Sequence, residues 1–351
     1  MKRYKHLFEV VSSSEALFRA WDRFKKDKRN KEDVLRFEMS LEQSIFALQR
    51  SLRGKTYRHD KYVGFRIADP KLREIHKATV RDRILHHAVF SVLNPIFEPT
   101  FIPTSFSCRI GKGTHKGVQA LENILRSVSR NDTRPCFVLK CDVRKFFDSI
   151  DHDVLLRILG ARINDEDFMW LMREIVESFA TSRPNLFERK GVPIGNLTSQ
   201  LFANIYMNEF DQFVKHELRI KGYARYTDDF VIVSGDQAYL RSLIPHIEAF
   251  LESRLHLRLH PGKVAIRNYR HGVDFLGYIV LPHCILNRAK TKRRMFRKLR
   301  QKVIDHKNGA VTKSRLDASL QSYMGVLSHA NAYRLSEDLK NKFWYWTSDK
   351  S

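Results

Sequence analysis

Apolar residues recur at two spacings along this chain, and the spacing separates helical stretches from extended ones. Up to about residue 55 the period is that of a helix, for example at Leu35, Phe37, Leu41, Ile45 and Leu48. Residues 56–78 are predicted to be extended, with two short apolar runs around Asp69-Pro70 that predict a hairpin. Residues 79–99 return to a helical pattern that is expected to end near Pro95.

The middle of the chain alternates predicted strands with predicted helices. Strands are predicted over 136–143, over 224–235 as two short strands around a tight turn, and over 274–281 as one strand. Helices are predicted over 152–159, 196–218 and 238–256. The loop-forming residues Pro184, Gly191 and Pro193 predict a loop over 183–194. The pattern therefore predicts a compact mixed sheet between helical flanks.

The charge balance adds a polyanion to this picture. Among 351 residues, 63 are Lys or Arg and 39 are Asp or Glu, which gives a formal net charge of +24. Such a charge favours nucleic acid over a membrane surface, because no amphipathic anchor or lipidation signal accompanies it. Residues 288–302 contain nine Lys or Arg and no acid, beside Met295, Phe296 and Leu299 at helical spacing. This segment predicts a basic helix that contacts a phosphate backbone. A solvated basic face is the alternative, which the absence of acids disfavours.

Cysteine usage and the terminal sequence bear on the compartment. The four cysteines (Cys108, Cys136, Cys141 and Cys284) have no C-x-x-C spacing, which favours reduced thiols in a cytoplasmic protein. The N-terminal segment lacks a continuous apolar stretch, and no apolar run reaches the length of a membrane span. We therefore expect no signal peptide and no membrane partner.

Three aspartates follow or precede apolar strand patterns. Asp142 follows the run Phe137-Val138-Leu139, and Asp228-Asp229 stand just before another such run. Adjacent residues of a strand point to opposite faces, but a tight turn can bring both carboxylates to one site. A carboxylate cluster repels itself when empty, whereas two divalent cations remove that repulsion and can clamp the oxygens of a phosphoryl transfer. An isolated Asp-Asp pair is more often a solvated turn, so both interpretations stay open at this point.

Seven segments resemble, in order, the conserved blocks of reverse transcriptases. The resemblance covers roughly residues 56–300. The similar segments are REIHKATVRDRILHHAV (73–89) and PIFEPTFIPTSFSCRIGKGTHKGV (95–118) for the fingers blocks of prokaryotic enzymes, FVLKCDVRKFFDSIDH (137–152) for motif A, GVPIGNLTSQLFANIYMNEFD (191–211) for motif B, YTDDF (226–230) for motif C, LHLRLHPGKV (255–264) for motif D, and FLGY (275–278) for the primer grip.

The resemblance implies an α+β right-hand polymerase fold, with fingers, a palm built on an antiparallel sheet, and a thumb. It implies a helical N-terminal extension over 1–55, fingers over 56–135, a palm over 136–282 with fingers elements around 160–195, and a helical basic thumb over 283–351. The expected activity is that of an RNA-directed DNA polymerase. Its expected partners are a template RNA, the RNA/cDNA duplex and a dNTP, and its expected cofactors are two Mg²⁺ ions, with Mn²⁺ as the alternative.

Matched positions imply roles for individual residues. Asp142 and Asp228 are expected to bind both metal ions, with Asp229 in support. Phe147, five residues after Asp142, matches the aromatic steric gate whose ring collides with a ribose 2′-OH. This position implies deoxynucleotide substrates and argues against an RNA-dependent RNA polymerase. Ordinary core packing is the alternative for Phe147, and the neighbouring Phe146 is a candidate for such packing.

Three basic residues complete the expected nucleotide site. Arg73, on the predicted hairpin, matches the arginine that holds the incoming triphosphate, and its planar guanidinium suits phosphate oxygens. Lys71 is an expected assistant, with an ordinary surface lysine as the equal alternative. Lys263 matches the motif D lysine, a candidate general acid for the pyrophosphate leaving group. An ordinary surface lysine after Pro261-Gly262 is the alternative there.

Motif B departs from the common pattern at two positions. Ile194 stands where most reverse transcriptases have glutamine, and Gln200 stands where they have proline. This form resembles the enzymes of diversity-generating retroelements, which implies errors at template adenines, a small basic accessory variability protein, and a bacterial or phage-encoded cytoplasmic enzyme. The alternatives are an antiphage-defence or group II intron-like reverse transcriptase and, from another class, a catalytically idle RNA-binding scaffold.

Overall fold

A computed structural model of the chain describes residues 2–68, 72–179 and 189–348 and combines α-helices with antiparallel strands. Fourteen α-helices are described in these ranges: α1 (Leu7–Val11), α2 (Ser14–Phe24), α3 (Glu32–Met39), α4 (Leu41–Arg53), α5 (Val80–Phe97), α6 (Thr114–Ser129), α7 (Phe146–Ser149), α8 (His152–Gly160), α9 (Glu166–Glu177), α10 (Leu197–Gln212), α11 (Gln237–Leu255), α12 (Ala289–Lys307), α13 (Lys313–Leu327) and α14 (Tyr333–Ser348). The nine described strands are β1 (Val63–Ala68), β2 (Leu72–Lys77), β3 (Phe137–Asp142), β4 (Tyr223–Tyr226), β5 (Asp229–Ser234), β6 (Ala265–Asn268), β7 (Val273–Phe275), β8 (Tyr278–Leu281) and β9 (Cys284–Asn287).

The chain forms two compact units, each made of three chain segments. Unit 1 comprises Met1–Pro103, Asp142–Ile220 and Pro245–Gly262. Unit 2 comprises Thr104–Cys141, Lys221–Ile244 and Lys263–Ser351. The predicted helical pattern up to about residue 55 is confirmed by α1 to α4, and the predicted helices in the middle of the chain are confirmed by α8, α10 and α11.

Helix α5 lies at the centre of unit 1. The Thr79 side chain caps it by accepting a hydrogen bond from the Asp82 amide, which satisfies one of the free amides of the first turn. Most of its apolar residues are buried, and it packs against α2 and α10. The helix runs two residues beyond Pro95 to Phe97, because a missing amide in the last turn removes only one hydrogen bond.

Unit 1 also carries an exposed two-stranded hairpin. Strands β1 and β2 pair antiparallel from Val63↔Lys77 to Ala68↔Leu72, which confirms the predicted hairpin. Every residue of β1 is exposed. The residues between the strands, 69–71, lie outside the described residues, and so does the 183–188 part of the predicted loop.

A four-stranded sheet forms the centre of unit 2, in the order β4-β5-β3-β6. The strands predicted over 136–143 and 224–235 are confirmed as β3 and as the β4–β5 hairpin. Apolar side chains of β3, β4 and β5 pack with helix α6 and with strands β7 and β8 in one buried cluster. This cluster covers one face of the sheet, and alternate residues such as Leu139, Phe230 and Ile232 on the other face are buried as well.

The segment 274–281, predicted as one strand, is instead a tight hairpin. Strand β7 ends at Phe275 and β8 begins at Tyr278, and these two residues pair with each other. Leu276 and Gly277 form the turn with φ of 50° and 95°. Positive φ at both central residues is the backbone of a type I′ turn. The prediction was wrong because the apolar run hides the turn, for which Gly277 is the one local signal. Strand β9 then pairs with β8.

Helices α12, α13 and α14 share a buried apolar cluster of their own. Their shared buried residues are Met295, Leu299, Val303, Leu316, Leu320, Leu327, Ala332, Leu339 and Phe343. Helix α12 confirms the basic helix predicted over 288–302. Across the described ranges, none of the helices has the length and apolar character needed to cross a membrane.

Candidate functional site

The Asp228-Asp229 pair lies on the tight turn of the β4–β5 hairpin in unit 2. Tyr226 pairs with Asp229 across the hairpin, so Thr227 and Asp228 are the two residues of the connection. The flanking residues Tyr223, Phe230 and Ile232 are buried, and Val231 on the opposite face of β5 is buried as well, so the hairpin is covered on both faces. The two carboxylates, both half-buried, are thus adjacent on a turn, the arrangement that lets neighbouring aspartates serve one site.

The turn is held in a strained conformation by two hydrogen bonds. Thr227 has a φ of 57°, which is rare for a β-branched residue. Its carbonyl oxygen accepts a hydrogen bond of 2.9 Å from Nη1 of Arg225, whose side chain is fully buried. The hydroxyls of Thr227 and Ser107 lie 2.6 Å apart. These contacts fix the backbone that carries Asp228.

Lys140 places a positive charge beside this turn. Its Nζ lies 3.3 Å from Oδ2 of Asp229. The same ammonium donates a 2.7 Å hydrogen bond to the carbonyl oxygen of Asp274 on β7. Lys140 therefore joins the β4–β5 turn to the β7–β8 hairpin within unit 2, and it offsets part of the negative charge of the aspartates.

Asp142 is the last residue of β3, the strand next to β5 in the sheet order. Alternate residues of a strand share a face, so Asp142 and Lys140 project from the same side of β3. On the unit 1 side, the Asp142 carbonyl oxygen accepts a 2.8 Å hydrogen bond from the His260 amide. The Arg144 amide donates to the Arg258 carbonyl oxygen at 2.9 Å. The motif D segment therefore fixes the backbone on both sides of Val143.

The carboxylates suit a hard divalent cation by their chemistry. Asp142, Asp228 and Asp229 offer only oxygen donors, which Mg²⁺ prefers. The Lys140 ammonium forms an ion pair with Asp229. Within the described residues, no group of three or more His, Cys, Asp or Glu side chains is assembled closely enough to hold a metal ion. By the chemical type of their donor atoms, the three aspartates fit Mg²⁺.

Phe147 and Phe146 lie on the short helix α7 of unit 1 and differ in environment. Phe146 is 2% exposed and packs edge-on against the Phe147 ring at 5.4 Å between centroids. Phe147 is half-buried, and its carbonyl oxygen accepts a 2.8 Å hydrogen bond from the Val192 amide. Motif A and the start of motif B are therefore joined through the backbone of Phe147.

The hairpin that carries Arg73 also meets motif B in unit 1. Arg73 is exposed and pairs with Ile67 across the hairpin. The His76 amide donates a 3.0 Å hydrogen bond to the Ile194 carbonyl oxygen. Arg73, Phe147 and Ile194 thus belong to one compact unit. Lys71 lies outside the described residues.

Two further predicted residues lie at the edges of their elements. Gln200 is exposed in the first turn of α10. Lys263 is half-buried, two residues before β6. Strand β6 pairs antiparallel with β3, from Phe137↔Asn268 to Lys140↔Ala265. Lys263 therefore lies just outside β6, next to the end of the strand that pairs with Lys140.

Several residues in these contacts were missed by the sequence analysis. They are Lys140, Ser107, Arg225, Thr227 and Asn196. A sequence signal exists for Lys140 alone, since its two-residue spacing from Asp142 places both on one face of a strand. The others contact partners many residues away or adopt a strained backbone, which local pattern does not reveal.

A family model described as reverse transcriptase (RNA-dependent DNA polymerase) matches residues 68–280. The match spans more than half of the chain, so the chain belongs to this family of RNA-directed DNA polymerases. It is similar to Protein YkfC of Escherichia coli K12, at 29% identity over an alignment of 243 positions that covers 59% of this chain and 63% of YkfC.

Intron-encoded proteins are also similar to the chain. The group II intron-encoded protein LtrA of Lactococcus lactis subsp. cremoris is 22% identical over an alignment of 303 positions that covers 68% of this chain and 49% of LtrA. An uncharacterized 91 kDa protein in the cob intron of Schizosaccharomyces pombe is 25% identical over an alignment of 256 positions that covers 56% of this chain and 31% of that protein. The chain therefore spans less than two thirds of each of these relatives.

Proposed function

We propose that this chain copies a template RNA into cDNA by adding dNTPs to a primer 3′-OH. The observation that carries the proposal is the locked Thr227-Asp228 turn, which presents two carboxylates at the end of a buried hairpin in a chain of the reverse transcriptase family. In this proposal the fold is the right-hand polymerase fold, with a helical extension over 1–55, fingers over 56–135, a palm over 136–282 and a basic thumb over 283–351.

Asp142, Asp228 and Asp229 are the proposed metal ligands of this reaction. A pair of Mg²⁺ ions, or Mn²⁺ in their place, would supply charge stabilisation at the attacking and leaving oxygens. Asp229 contributes through its carboxylate beside Lys140, which limits repulsion within the site. The Thr227 turn keeps Asp228 in one orientation without reorganisation.

The remaining residues act on the nucleotide. Arg73 holds the triphosphate through its planar guanidinium, with Lys71 in support. Phe147 excludes a ribose 2′-OH by its ring. Lys263 donates a proton to the pyrophosphate leaving group. The basic helix α12 holds the template–primer duplex by phosphate contacts.

Primer extension by wild type and by Asp228→Ala tests the assignment. We expect extension by wild type on an RNA template and only background with the variant. Asp317→Ala, which replaces an exposed aspartate of α13, serves as the control and should extend normally. Mn²⁺ binding followed by electron paramagnetic resonance should weaken in Asp228→Ala alone. An inactive wild type would favour the idle RNA-binding scaffold, and undiminished extension by Asp228→Ala would exclude this site.

Phe147→Val tests the proposed choice of sugar. Removing the ring leaves room for a 2′-OH, so incorporation of rNTPs relative to dNTPs should rise by an order of magnitude or more, since the clash is steric. Phe146→Val, at a buried ring of the same helix, should lower stability without changing the ratio. Efficient rNTP incorporation by wild type would favour an RNA-dependent RNA polymerase.

For the biological role we propose a diversity-generating retroelement, with a small basic accessory protein as partner. The motif B string Ile194-Gly195-Asn196-Leu197-Thr198-Ser199-Gln200 supports this role. Ile194 has no hydrogen-bonding side-chain group, so pair discrimination would rest more on shape, at a cost of about 0.5–1.5 kcal/mol, or roughly 2- to 12-fold in fidelity. The similarity to LtrA favours the alternative of a group II intron-like enzyme.

Sequencing of cDNA made on one RNA template separates these roles. Wild type should show errors concentrated at template adenines, and Ile194→Gln should reduce them. Gln200→Pro, at the other unusual position, tests whether both departures from the common motif contribute. Equal and uniform error rates for wild type and Ile194→Gln would favour the intron-like role.

A further inference from the structure

The last residues of β2 are attached to the start of motif B by three hydrogen bonds. The His76 amide donates to the Ile194 carbonyl oxygen at 3.0 Å. Nδ2 of Asn196 donates to the His76 carbonyl oxygen at 2.8 Å. The Ala78 amide donates to Oδ1 of Asn196 at 3.3 Å. One amide side chain therefore binds backbone groups on both sides of Lys77, and all of these residues belong to unit 1.

Asn196 makes these contacts in place of the N-capping hydrogen bond that asparagine usually makes at the start of a helix. It is the N-cap residue of α10, with the extended backbone typical of that position (φ −109°, ψ 148°), yet its side chain makes no capping hydrogen bond. Asparagine is among the preferred N-cap residues. The side chain is 2% exposed, so both of its hydrogen bonds lie away from solvent, where leaving a partner unsatisfied is costly.

Gly195 brings the same two segments into close contact. Its φ is 113°, and a Cβ at this position would lie 2.8 Å from Cγ2 of Ile75 on β2. A side chain here would push the hairpin away from the motif. The hairpin therefore has one tightly defined attachment, made by Gly195 through close approach and by Asn196 through hydrogen bonds.

We propose that Asn196 is a positioning residue that sets the fingers hairpin, and with it Arg73, for binding of the incoming dNTP. Arg73 is three residues before His76 on β2, which is roughly 10 Å along a strand. The pairing of β1 with β2 stiffens this path. The inference rests on the proposed polymerase function and on the proposed role of Arg73. It assigns to Asn196 a role in nucleotide affinity without direct contact with the nucleotide.

Steady-state kinetics of Asn196→Ala tests the proposal. Loss of both side-chain hydrogen bonds should raise KM for dNTP about tenfold, with kcat and the affinity for template–primer within twofold of wild type. In an Arg73→Ala background the same substitution should cause no further rise. Asn208→Ala is the matched control: it removes another buried asparagine of α10, which bonds Thr100 and Gln212, and it should leave KM unchanged.

Hydrogen exchange of the backbone amides of residues 72–78 supplies a measurement independent of activity. Exchange should accelerate in Asn196→Ala and stay unchanged in Asn208→Ala. Asn196→Asp keeps the acceptor for the Ala78 amide but places a carboxylate against the His76 carbonyl oxygen. Hydrogen exchange of residues 72–78 should accelerate, and KM for dNTP should rise, at least as much as in Asn196→Ala. Asn196→Asp also tests the proposal if Asn196→Ala does not fold.

Three outcomes would overturn the inference. The first is unchanged hydrogen exchange in both Asn196 variants. The second is faster exchange with an unchanged KM for dNTP. The third is that Asn196→Ala raises KM as much in the Arg73→Ala background as in wild type. An inactive wild type is a different result: it contradicts the proposed function, while the exchange data still report on the attachment.

Discussion

At the scale of single residues, Thr227 shows how local strain is balanced by contacts from distant segments. A β-branched residue at positive φ costs about 1–3 kcal/mol. Arg225 and Ser107 offset this cost through the Thr227 carbonyl oxygen and hydroxyl. The bond to Ser107 spans 120 residues of sequence, so the turn depends on the tertiary structure of unit 2.

Removing the Thr227 hydroxyl should weaken this turn. Thr227→Val keeps the β-branch but loses the contact with Ser107, and we expect the free energy of unfolding to fall by about 1 kcal/mol. Urea denaturation measures this change. Thr133→Val, which removes an exposed hydroxyl bonded to the Arg130 carbonyl oxygen, should change stability by less than about 0.5 kcal/mol. Equal effects of the two substitutions would contradict a special role of the turn.

At the scale of elements, the β7–β8 hairpin depends on glycine for a purely conformational reason. Gly277 has a φ of 95°, and a Cβ there would meet nothing within 4 Å. Gly325, inside α13, also has open space around it but no positive φ. The two positions therefore differ in backbone conformation and not in packing.

This difference predicts opposite effects of the same substitution. Gly277→Ala should lower the free energy of unfolding by about 1 kcal/mol, because alanine is disfavoured at positive φ. Gly325→Ala should raise it by up to about 1 kcal/mol, because alanine favours helix. Thermal or urea denaturation of the two variants gives the sign of each effect. A destabilised Gly325→Ala would contradict this difference between the two positions.

Helix α5 makes stability depend on pH through buried histidine. Burial, followed by the nearby His59, lowers the pKa of His86 from 6.5 to about 3. As pH falls below 6.5 the unfolded chain binds this proton and the folded chain does not. The contribution of the neutral side chain is therefore fully present above pH 6.5 and is lost between pH 6.5 and about 3.

Acidification from pH 7 to pH 5 should therefore lower the free energy of unfolding by about 2 kcal/mol through His86 alone. Urea denaturation at pH 7 and pH 5 should show the loss in wild type. His86→Gln should reduce the loss by about that amount, whereas His271→Gln, at an exposed residue, should leave it unchanged. An identical pH dependence in His86→Gln would assign the acid sensitivity to other groups.

At the scale of the whole molecule, the net charge of +24 governs association with nucleic acid. Lys and Arg that neutralise phosphates release counterions, so affinity falls with salt at a slope set by the number of phosphate contacts. Arg293 and Arg297 are exposed and one helical turn apart on α12. In the proposed function they contact phosphates of the template–primer duplex.

Replacing both arginines of α12 by alanine should reduce the magnitude of the slope of log K against log salt by about 2. Fluorescence anisotropy with an RNA/DNA duplex between 50 and 200 mM salt, the range over which such slopes are measured, gives the slope. The matched control replaces Arg50 and Arg53, two exposed arginines of α4, and should leave the slope unchanged. Equal reductions in both variants would indicate diffuse charge attraction in place of a defined contact surface.

The sequence by itself determined the elements whose pattern is local. The helices of residues 7–53, the hairpin around residues 63–77, strand β3 and helix α12 follow from hydrophobic period and composition, because burial of one face imposes its period on the chain. The order of the motifs also indicated the family, since seven short patterns in sequence constrain one another far more than any one of them does.

Only the tertiary structure decided which residues from distant segments meet. The turn in the apolar run 274–281 was missed because its backbone depends on positive φ at Leu276 and Gly277, which apolar pattern does not encode. The ion pair of Lys140 with Asp229 and the bonds of Asn196 to the hairpin join residues 89 and 120 positions apart. Such contacts arise from packing of separate elements, and hydrophobic periodicity specifies the buried face of each element without naming its partner.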